Sequence, residues 1–188
     1  MDYTSKGGRV FASHWHRYWF HDDAQPSPFP AVGTWVDRTP PADPPTAPVD
    51  GTVDTSFPKG TALRDWLVNV GASTTPGKLP IREAKHNLDA VDVTRAQSWI
   101  TLTNPFDANR TAIEYLTFNT PVGVPADMQC GRIVYSGLHV SSGDTTGVAF
   151  PSGCTTTDLS PQEKALEFML FDLSACLLRD DEKPQAPR

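Results

Sequence analysis

Two short apolar segments of this chain share one pattern, which constrains its fold more than any other feature of the sequence. Each begins with glycine and arginine, continues through an apolar run and a small polar residue, and ends at histidine. The first spans residues 7–14 and the second spans residues 131–139. An apolar run bounded by glycine and polar residues is typical of a buried strand in an α/β sheet. The pattern therefore predicts two core strands, here called the histidine strands, which end at His14 and His139.

Further regular elements complete a mixed α/β pattern. Three additional strands are predicted, at residues 79–82, 98–102 and 112–119. A helix is predicted over residues 58–69, because Pro58 suits the first helical turn and Gly71 suits the position that closes a helix. Together with the histidine strands, these elements predict one α/β domain over residues 1–178.

The best-marked element is the last helix, which is predicted from Ser160 to about Leu178. Ser160 and Glu163 form a capping box, and Pro161 occupies the first helical position. Apolar residues at helical spacing predict a buried stripe of Leu166, Met169, Leu170, Leu173 and Leu177. The charged, proline-containing residues 179–188 are expected to form a flexible tail.

Residues 24–58 form a proline-rich segment with little periodic structure. The segment contains two Pro-Pro pairs, at residues 40–41 and 44–45. A structureless segment of that length is unusual inside a compact domain and is often a functional lid. Because Phe29, Trp35 and Phe57 can anchor it, we expect an ordered lid.

The formal net charge of −6 argues against a nucleic-acid partner, because binding to phosphates relies on an excess of Lys and Arg. No apolar run approaches the ~20 residues that cross a bilayer. The first residues also lack the apolar core of a secretion signal. The chain as written is therefore expected to be soluble and cytoplasmic, with a small molecule as its substrate. A buried strand so close to the first residue suggests the C-terminal part of a longer ancestor.

The three cysteines, Cys130, Cys154 and Cys176, form no CxxC pair, which excludes a zinc ribbon. Buried or idle thiols are the favoured interpretation, and one disulfide stays open as an alternative.

His14-Trp15-His16 is the sharpest chemical feature of the sequence. In an extended backbone, residues i and i+2 point to the same face, so both imidazoles can bind one ion. A zinc hydrolase typically presents three protein ligands and keeps one position for water. His139 is the predicted third ligand, because ligands of open α/β sheets bind beyond the carboxyl ends of the strands. His86 is a further candidate, as a fourth ligand or as a group that supports the others.

Asp144 follows His139 in a Ser-Ser-Gly-Asp loop and is the candidate general base for a metal-bound water. The same composition is also typical of an ordinary turn. The aromatic residues around His14 either line an apolar pocket or pack a core. A serine or cysteine nucleophile is disfavoured, because the chain has no G-x-S-x-G elbow and no cysteine at a strand-to-helix turn.

At its histidine strands the chain resembles the class I glutamine amidotransferase-like superfamily, and especially its ThuA-like branch. In that branch a glycine-rich strand ends in His, and a later strand of the form Gly-Arg-Val-apolar-Tyr-Ser-x-x-His is similar to residues 131–139. Residues 151–154 and 159–173 look like the end of large exported bacterial proteins of unassigned function. The resemblance implies a flavodoxin-like, mostly parallel sheet with helices on its faces, and His14 and His139 facing one cleft. The early strands and the nucleophile elbow of the superfamily are absent, so a truncated sheet is expected and amidotransferase chemistry is not implied.

These observations lead to the hypothesis of a metal-dependent hydrolase of esters or phosphoesters, including phosphotriester-like substrates. Zinc or another divalent transition metal would activate water. The predicted ligands are His14, His16, His86 and His139, with Asp144 as the base. Two alternatives stay open: a non-catalytic module that binds carbohydrate or a partner, and a structural metal site with four protein ligands. Because a truncated sheet exposes an edge, a homodimer is also expected.

Overall fold

The described part of the chain is a mixed α/β structure built on two β-sheets. In this computed structural model the described residues are 2–21, 29–36, 47–104, 107–140, 158–175 and 180. The strands are β1 (Arg9–Ser13), β2 (Gly33–Trp35), β3 (Val49–Val53), β4 (Lys78–Ile81), β5 (Leu88–Val91), β6 (Gln97–Thr103), β7 (Thr111–Thr120) and β8 (Gly131–Ser136). The α-helices are α1 (Asp2–Ser5), α2 (Tyr18–His21), α3 (Pro58–Asn69) and α4 (Pro161–Ser174). None of the helices in these residues is long and apolar enough to span a membrane.

The main sheet has six strands in the order β1-β8-β7-β6-β3-β4, and β2 and β5 form a small second sheet. In the main sheet β1 and β8 pair in parallel, and the other four pairs are antiparallel. The α/β class is confirmed, whereas the prediction of a mostly parallel sheet is wrong for the described residues. The connections from β6 to β7 and from β7 to β8 are too short in sequence for a crossover helix, and such short connections return the chain antiparallel.

The two histidine strands are neighbours in the main sheet, as β1 and β8. Their parallel register places Arg9 beside Arg132 and Ser13 beside Ser136. Parallel strands in this register end at the same edge of the sheet. The chain therefore leaves both strands at one edge, immediately before His14 and shortly before His139.

Both faces of the main sheet are covered. Tyr115 and Leu116 on β7 point to opposite faces, as neighbouring residues of a strand must. Helices α3 and α4 cover the face of Tyr115, where the buried apolar side chains include Leu63, Leu67, Trp99 and Met169. The small sheet and α2 cover the other face, where Trp35 stacks on Phe20 with ring centroids 5.1 Å apart.

Most of the predicted elements are confirmed. The predicted helix over residues 58–69 is α3, and Gly71 follows it with a φ of +68°, in the left-handed region that favours glycine. The predicted strands in the 79–82, 98–102 and 112–119 regions are β4, β6 and β7. The last helix, α4, begins as predicted: the backbone amide of Ser160 donates to Glu163 at 2.7 Å, and the Ser160 hydroxyl accepts from the Glu163 amide at 3.3 Å.

The predicted buried stripe of α4 is partly wrong. The buried residues are Gln162, Ala165, Met169 and Leu173, whereas Leu170 is 45% exposed. The side of the helix that faces the sheet therefore carries the small Ala165 and the hydrogen-bonded Gln162. This buried side is rotated from the apolar stripe that hydropathy predicts. The helix ends at Ser174, and Leu177 lies outside the described residues.

The proline-rich segment 24–58 is more regular at its ends than predicted. Val49–Val53 forms β3, an internal strand of the main sheet, and Gly33–Trp35 forms β2, which pairs with β5. The two Pro-Pro pairs lie outside the described residues, as do residues 181–188 of the predicted tail. A lid over this segment therefore stays a prediction.

A buried cluster of charges joins β8 to the helical face. The Arg132 guanidinium contacts Asp172 at 2.7 Å and Asp180 at 2.6 Å, and the Lys59 ammonium contacts Asp172 at 2.8 Å. Arg132 is 1% exposed and Lys59 is 5% exposed. Two cations facing two carboxylates keep the cluster close to neutral, which burial of charge requires.

Candidate functional site

The candidate site lies at one edge of the main sheet, where several strands end together. Strands β1, β8 and β4 all have their carboxyl ends at this edge, because β1 and β8 are parallel and an even number of antiparallel pairings, four, leads from β8 through β7, β6 and β3 to β4. His14 follows β1, His139 follows β8, and residues 82–87 follow β4. Antiparallel β7 begins at the same edge and carries Glu114. The fold thus gathers polar residues from four distant parts of the sequence.

His14 and His139 approach each other as predicted. Their ring centroids are 5.7 Å apart and their planes are nearly perpendicular, at 89°. The Nδ1 atom of His14 is buried and has no hydrogen-bond partner among the described residues. Burial, followed by the nearby charges of Lys85, His139, Arg17 and His16, lowers the pKa of His14 to about 4. The ring is therefore neutral at neutral pH.

His139 is held by a carboxylate from the loop after β4. Its Nδ1 atom lies 2.7 Å from Oε2 of Glu83, and both side chains are partly exposed. Glu83 has a φ of +52°, a left-handed conformation that costs energy for a residue with a side chain. Strained backbone of this kind clusters at functional sites. The geometry fixes the His139 ring and leaves its other nitrogen, Nε2, for another partner.

Gln162 of α4 fixes the two segments that carry this pair. Its side-chain nitrogen donates to the backbone carbonyl of Arg82 at 3.2 Å and to that of His139, and its side-chain oxygen accepts from the Arg82 amide at 2.8 Å. Gln162 is 6% exposed. A single buried amide therefore ties the loop after β4 to the segment after β8, next to Glu83 and His139.

The structure separates His16 from the histidine pair. Residues 14–17 form a 3₁₀ turn, so the premise of an extended His14-Trp15-His16 segment is wrong, and residues i and i+2 no longer share a face. The Nδ1 atom of His16 lies 3.0 Å from both the amide and the hydroxyl of Ser13. Its ring packs on Trp19, with centroids 4.4 Å apart. Nδ1 of His16 is thus hydrogen-bonded within its own turn.

Of the two remaining predicted site residues, His86 is described by the structure and Asp144 is not. His86 follows β4 and is buried, with 4% of its surface exposed. Asp144 lies outside the described residues. Within the described ranges, no group of three or more His, Cys, Asp or Glu side chains is arranged to hold a metal ion. The assignment of His14, His16, His86 and His139 as ligands therefore stays a prediction.

Glu114 is a functional candidate that the sequence interpretation missed. It is fully buried, and neither carboxyl oxygen has a hydrogen-bond partner among the described residues. Burial raises the pKa of Glu114 well above its ordinary value, and the nearby Lys85 opposes this effect. The signal was present in the sequence, because Glu114 is the one charged residue in the otherwise apolar or neutral pattern of residues 111–118.

Tyr135, on the neighbouring strand, shares this environment. Its hydroxyl is buried and has no hydrogen-bond partner among the described residues. Burial raises the pKa of Tyr135, and the nearby Glu114 adds to the effect. The ring packs edge-on against Trp35, with centroids 4.9 Å apart. Polar atoms without described partners therefore accumulate on this side of β7 and β8.

Exposed aromatic side chains follow β1 beside the site. Trp15 is 71% exposed, and its ring centroid lies 5.4 Å from that of His14. Tyr18 and Trp19 are about half exposed. The Arg17 guanidinium covers the Tyr18 ring at 4.1 Å and donates to its hydroxyl at 2.8 Å. Of the aromatic residues in this stretch, Phe20 packs in the core, and the others remain at the surface.

Cysteine chemistry has no role in this arrangement of the described residues. Cys130 is a free and exposed thiol whose Sγ lies 3.2 Å from the carbonyl oxygen of Ser5, and it precedes β8, at the opposite end of that strand from His139. This agrees with the interpretation of an idle thiol. Cys154 and Cys176 lie outside the described residues.

No protein-family model, curated protein or solved structure matches this chain.

Proposed function

We propose that this chain is a hydrolase of ester or phosphoester bonds in which His139 is the general base. The observation that carries the proposal is the 2.7 Å contact between Nδ1 of His139 and Oε2 of Glu83. A carboxylate can only accept a hydrogen bond, so it selects the ring form with the proton on Nδ1. The Nε2 lone pair is then available to take a proton from water, as in other histidines oriented by a carboxylate.

The charges around this base suit a reaction that builds negative charge on oxygen. Lys85 and Arg17 lie close enough to His14 to lower its pKa. Cations directed at a developing oxyanion stabilise the transition state of ester and phosphoester hydrolysis. His14 is neutral at neutral pH, so it can donate or accept one hydrogen bond at the substrate without adding charge.

The proton balance of the proposed step is simple. A water oxygen attacks the carbonyl carbon or phosphorus, and its proton passes to Nε2 of His139. The bond to the leaving-group oxygen breaks, and that oxygen takes up a proton. The histidine then returns its proton to solvent, so that the net reaction consumes one water for each bond broken.

A metal-assisted form of the same hydrolysis is supported by His14 and His139, which approach each other while Nδ1 of His14 has no described partner. When bound, zinc or another divalent transition metal would activate water as a nucleophile. The described residues alone do not fit a zinc centre, because no group of three or more His, Cys, Asp or Glu side chains among them is arranged to hold a metal ion. Elemental analysis of the purified protein tests this form: about one zinc per chain favours it, and metal-free active protein contradicts it.

The resemblance to the ThuA-like branch remains part of the proposal. It is supported by the parallel pairing of β1 with β8, the two strands that carry the resemblance. The antiparallel β7, β6, β3 and β4 do not contribute to it. The homodimer also stays a prediction, and light scattering tests it.

A carbohydrate- or partner-binding module without catalysis is the second candidate. The specific observation in its favour is the exposure of Trp15, Tyr18 and Trp19 along one short segment. Exposed aromatic side chains commonly supply binding energy at such surfaces. This candidate predicts that no substrate is turned over and that Trp15→Ala weakens binding of a ligand.

The decisive experiment compares His139→Gln with the wild type on a panel of 4-nitrophenyl carboxylic esters, phosphodiesters and phosphotriesters. A loss of about 10²-fold or more in kcat for the hydrolysed substrates is expected, because a positioned base contributes that much. His21→Gln, at the end of α2, is the matched control and should retain activity. Full activity in His139→Gln, or no turnover of the panel by the wild type, contradicts the proposal.

A further inference from the structure

The carboxylate of Asp180 faces hydrogen-bond donors from three different elements of the fold. Its Oδ1 atom lies 2.6 Å from the Arg132 guanidinium on β8 and 3.3 Å from the Lys59 ammonium on α3. Its Oδ2 atom accepts a hydrogen bond from the Thr117 hydroxyl on β7 at 3.1 Å. Two positive charges and a hydroxyl group therefore converge on one carboxylate.

The donors are held in place by other contacts. Nε of Arg132 donates to Asp172 on α4 at 2.9 Å, and Nη1 donates to the side-chain oxygen of Asn119 at 3.0 Å. The Trp99 indole donates to the Thr117 hydroxyl at 2.8 Å, so that hydroxyl gives its own proton to the carboxylate. Arg132 and Thr117 are both buried. The sheet and its helices thus arrange an anion-binding pocket by contacts that do not involve the carboxylate it holds.

The charges in this pocket require one further anion. Arg132 and Lys59 share Asp172, which is the one carboxylate of the cluster that a described helix or strand carries. One positive charge would then stay buried without a counterion, which is costly. Asp180 supplies the missing charge, although it follows the end of α4 and lies in none of the described helices or strands. The required anion is therefore the member of the cluster that the regular structure does not hold.

A cavity of about 330 Å³ reaches the Asp180 carboxylate from the surface. The Asp180 side chain keeps 16% of its surface exposed, whereas that of Arg132 keeps 1%, so a solute meets the carboxylate first. The polar residues that line the cavity include Gln97, Thr117, Asn119, Gln129 and Asp180. The cavity lies near the start of β8, at the opposite end of that strand from His139.

We propose that Arg132, Lys59 and Thr117 form a carboxylate-binding site, which Asp180 occupies in this structure and which a small organic carboxylate from solution takes in its place. A monoanion is the matching ligand, because one positive charge is left to balance. The pocket also offers separate partners for two oxygens, the cations for one and the hydroxyl for the other. The cavity is at the small end of the range for ligand sites, which suits an acid of a few carbon atoms. The exchange leaves the charge of the buried cluster unchanged, and it does not depend on the proposed hydrolysis.

Asp180→Ala removes the internal carboxylate and opens the site to acetate. In thermal unfolding at pH 7, the Tm of this variant should rise by roughly 5–10 °C once acetate is about a hundredfold above its Kd. Chloride at the same ionic strength and acetamide, the neutral analogue of acetate, should raise it far less. Asp89→Ala is the matched control, because Asp89 also contacts a guanidinium, that of Arg110 at 2.9 Å, but on an exposed side chain. Equal responses of Asp180→Ala to acetate and to chloride would overturn the inference.

A titration of the folded protein tests the exchange without relying on stability. The Trp99 indole N–H signal, assigned with Trp99→Phe, should shift on addition of acetate, because its acceptor Thr117 donates to the bound carboxylate. The exposed indole of Trp15 should not shift. Acetate should bind Asp180→Ala at least about 10-fold more tightly than the wild type, because a tethered carboxylate competes at an effective concentration in the millimolar range. Equal affinities would overturn the inference, as would an unchanged Trp99 signal in the wild type if the variant does not fold.

Discussion

Oε2 of Glu83 accepts a hydrogen bond from Nδ1 of His139 over 2.7 Å, although the two residues follow β4 and β8, which three other strands of the main sheet separate. The contact forms because the main sheet curls and because Gln162 joins the two segments through their backbones. An oriented imidazole with an available Nε2 atom is the chemical centre of the proposed site.

Glu83→Gln should lower kcat by about 10- to 10²-fold while KM changes little. The amide can present either its oxygen or its nitrogen to the ring, so it no longer selects the ring form that leaves Nε2 free. Steady-state kinetics on the best ester of the panel measure the effect. Glu167→Gln serves as the control, and an unchanged kcat in Glu83→Gln would show that the carboxylate has no role in orienting the base.

His14 should make the stability of the protein depend on pH. Its pKa is about 4 in the folded chain, whereas the ordinary value for histidine is 6.5, so between these values the unfolded chain binds a proton that the folded chain does not. The free energy of unfolding should therefore fall as the pH drops from 6.5 towards 4, by about 1 kcal/mol for this partly screened group, and His14 should add nothing above pH 6.5.

Urea unfolding of the wild type and His14→Gln, in a chelator between pH 4 and pH 8, measures this dependence. In His14→Gln, the free energy of unfolding should lack the part of its fall between pH 6.5 and pH 4 that comes from His14. Parallel curves for the two proteins over the whole range would contradict the low pKa.

Arg132→Met should destabilise the protein by about 3–5 kcal/mol, because it leaves the buried Asp172 and Asp180 short of a cation. Arg110→Met is the matched control. Arg110 also faces a carboxylate, that of Asp89 at 2.9 Å, but its side chain is 45% exposed, so a loss below about 1 kcal/mol is expected. Similar losses of unfolding free energy in the two variants would contradict a stabilising role for the buried Arg132 cluster.

Gln162→Leu should reduce both stability and activity. The variant removes the partly buried side-chain hydrogen bonds to Arg82 and to the His139 carbonyl, at a cost of about 1–3 kcal/mol. It also frees the Glu83 and His139 segments from each other, so kcat should fall. Glu167→Leu on the same helix should change neither quantity, and a Gln162→Leu protein with wild-type kcat would refute the positioning role.

The sequence was sufficient for elements that local signals define. Strand β8 is a bounded apolar run, and the start of α4 follows from the capping box of Ser160 and Glu163. Strand β3 escaped prediction because its sequence, Val-Asp-Gly-Thr-Val, carries a weak local pattern. It is a strand because β4 and β6 pair with it on both sides, and those partners are distant in sequence.

The candidate site shows the same division between features that local sequence signals predict and features that depend on partners distant in sequence. His14 and His139 were predicted to meet because each ends an apolar strand. Glu83 and Gln162 were missed, since nothing in their local sequence reveals that the curled sheet brings the end of β4 beside the end of β8. The departure at His16 is local: the turn after β1 tightens into a 3₁₀ helix, in which Ser13 provides a partner for the imidazole.

The most direct test of the central claim is the protonation pattern of the His139 ring. Long-range ¹H–¹⁵N spectra of protein labelled at histidine, with assignment from His139→Gln, report which ring nitrogen carries the proton. At a pH where the ring is neutral, we predict a proton on Nδ1 and a bare Nε2, with loss of this preference in Glu83→Gln. A proton on Nε2 in the wild type would contradict the assignment of His139 as the base.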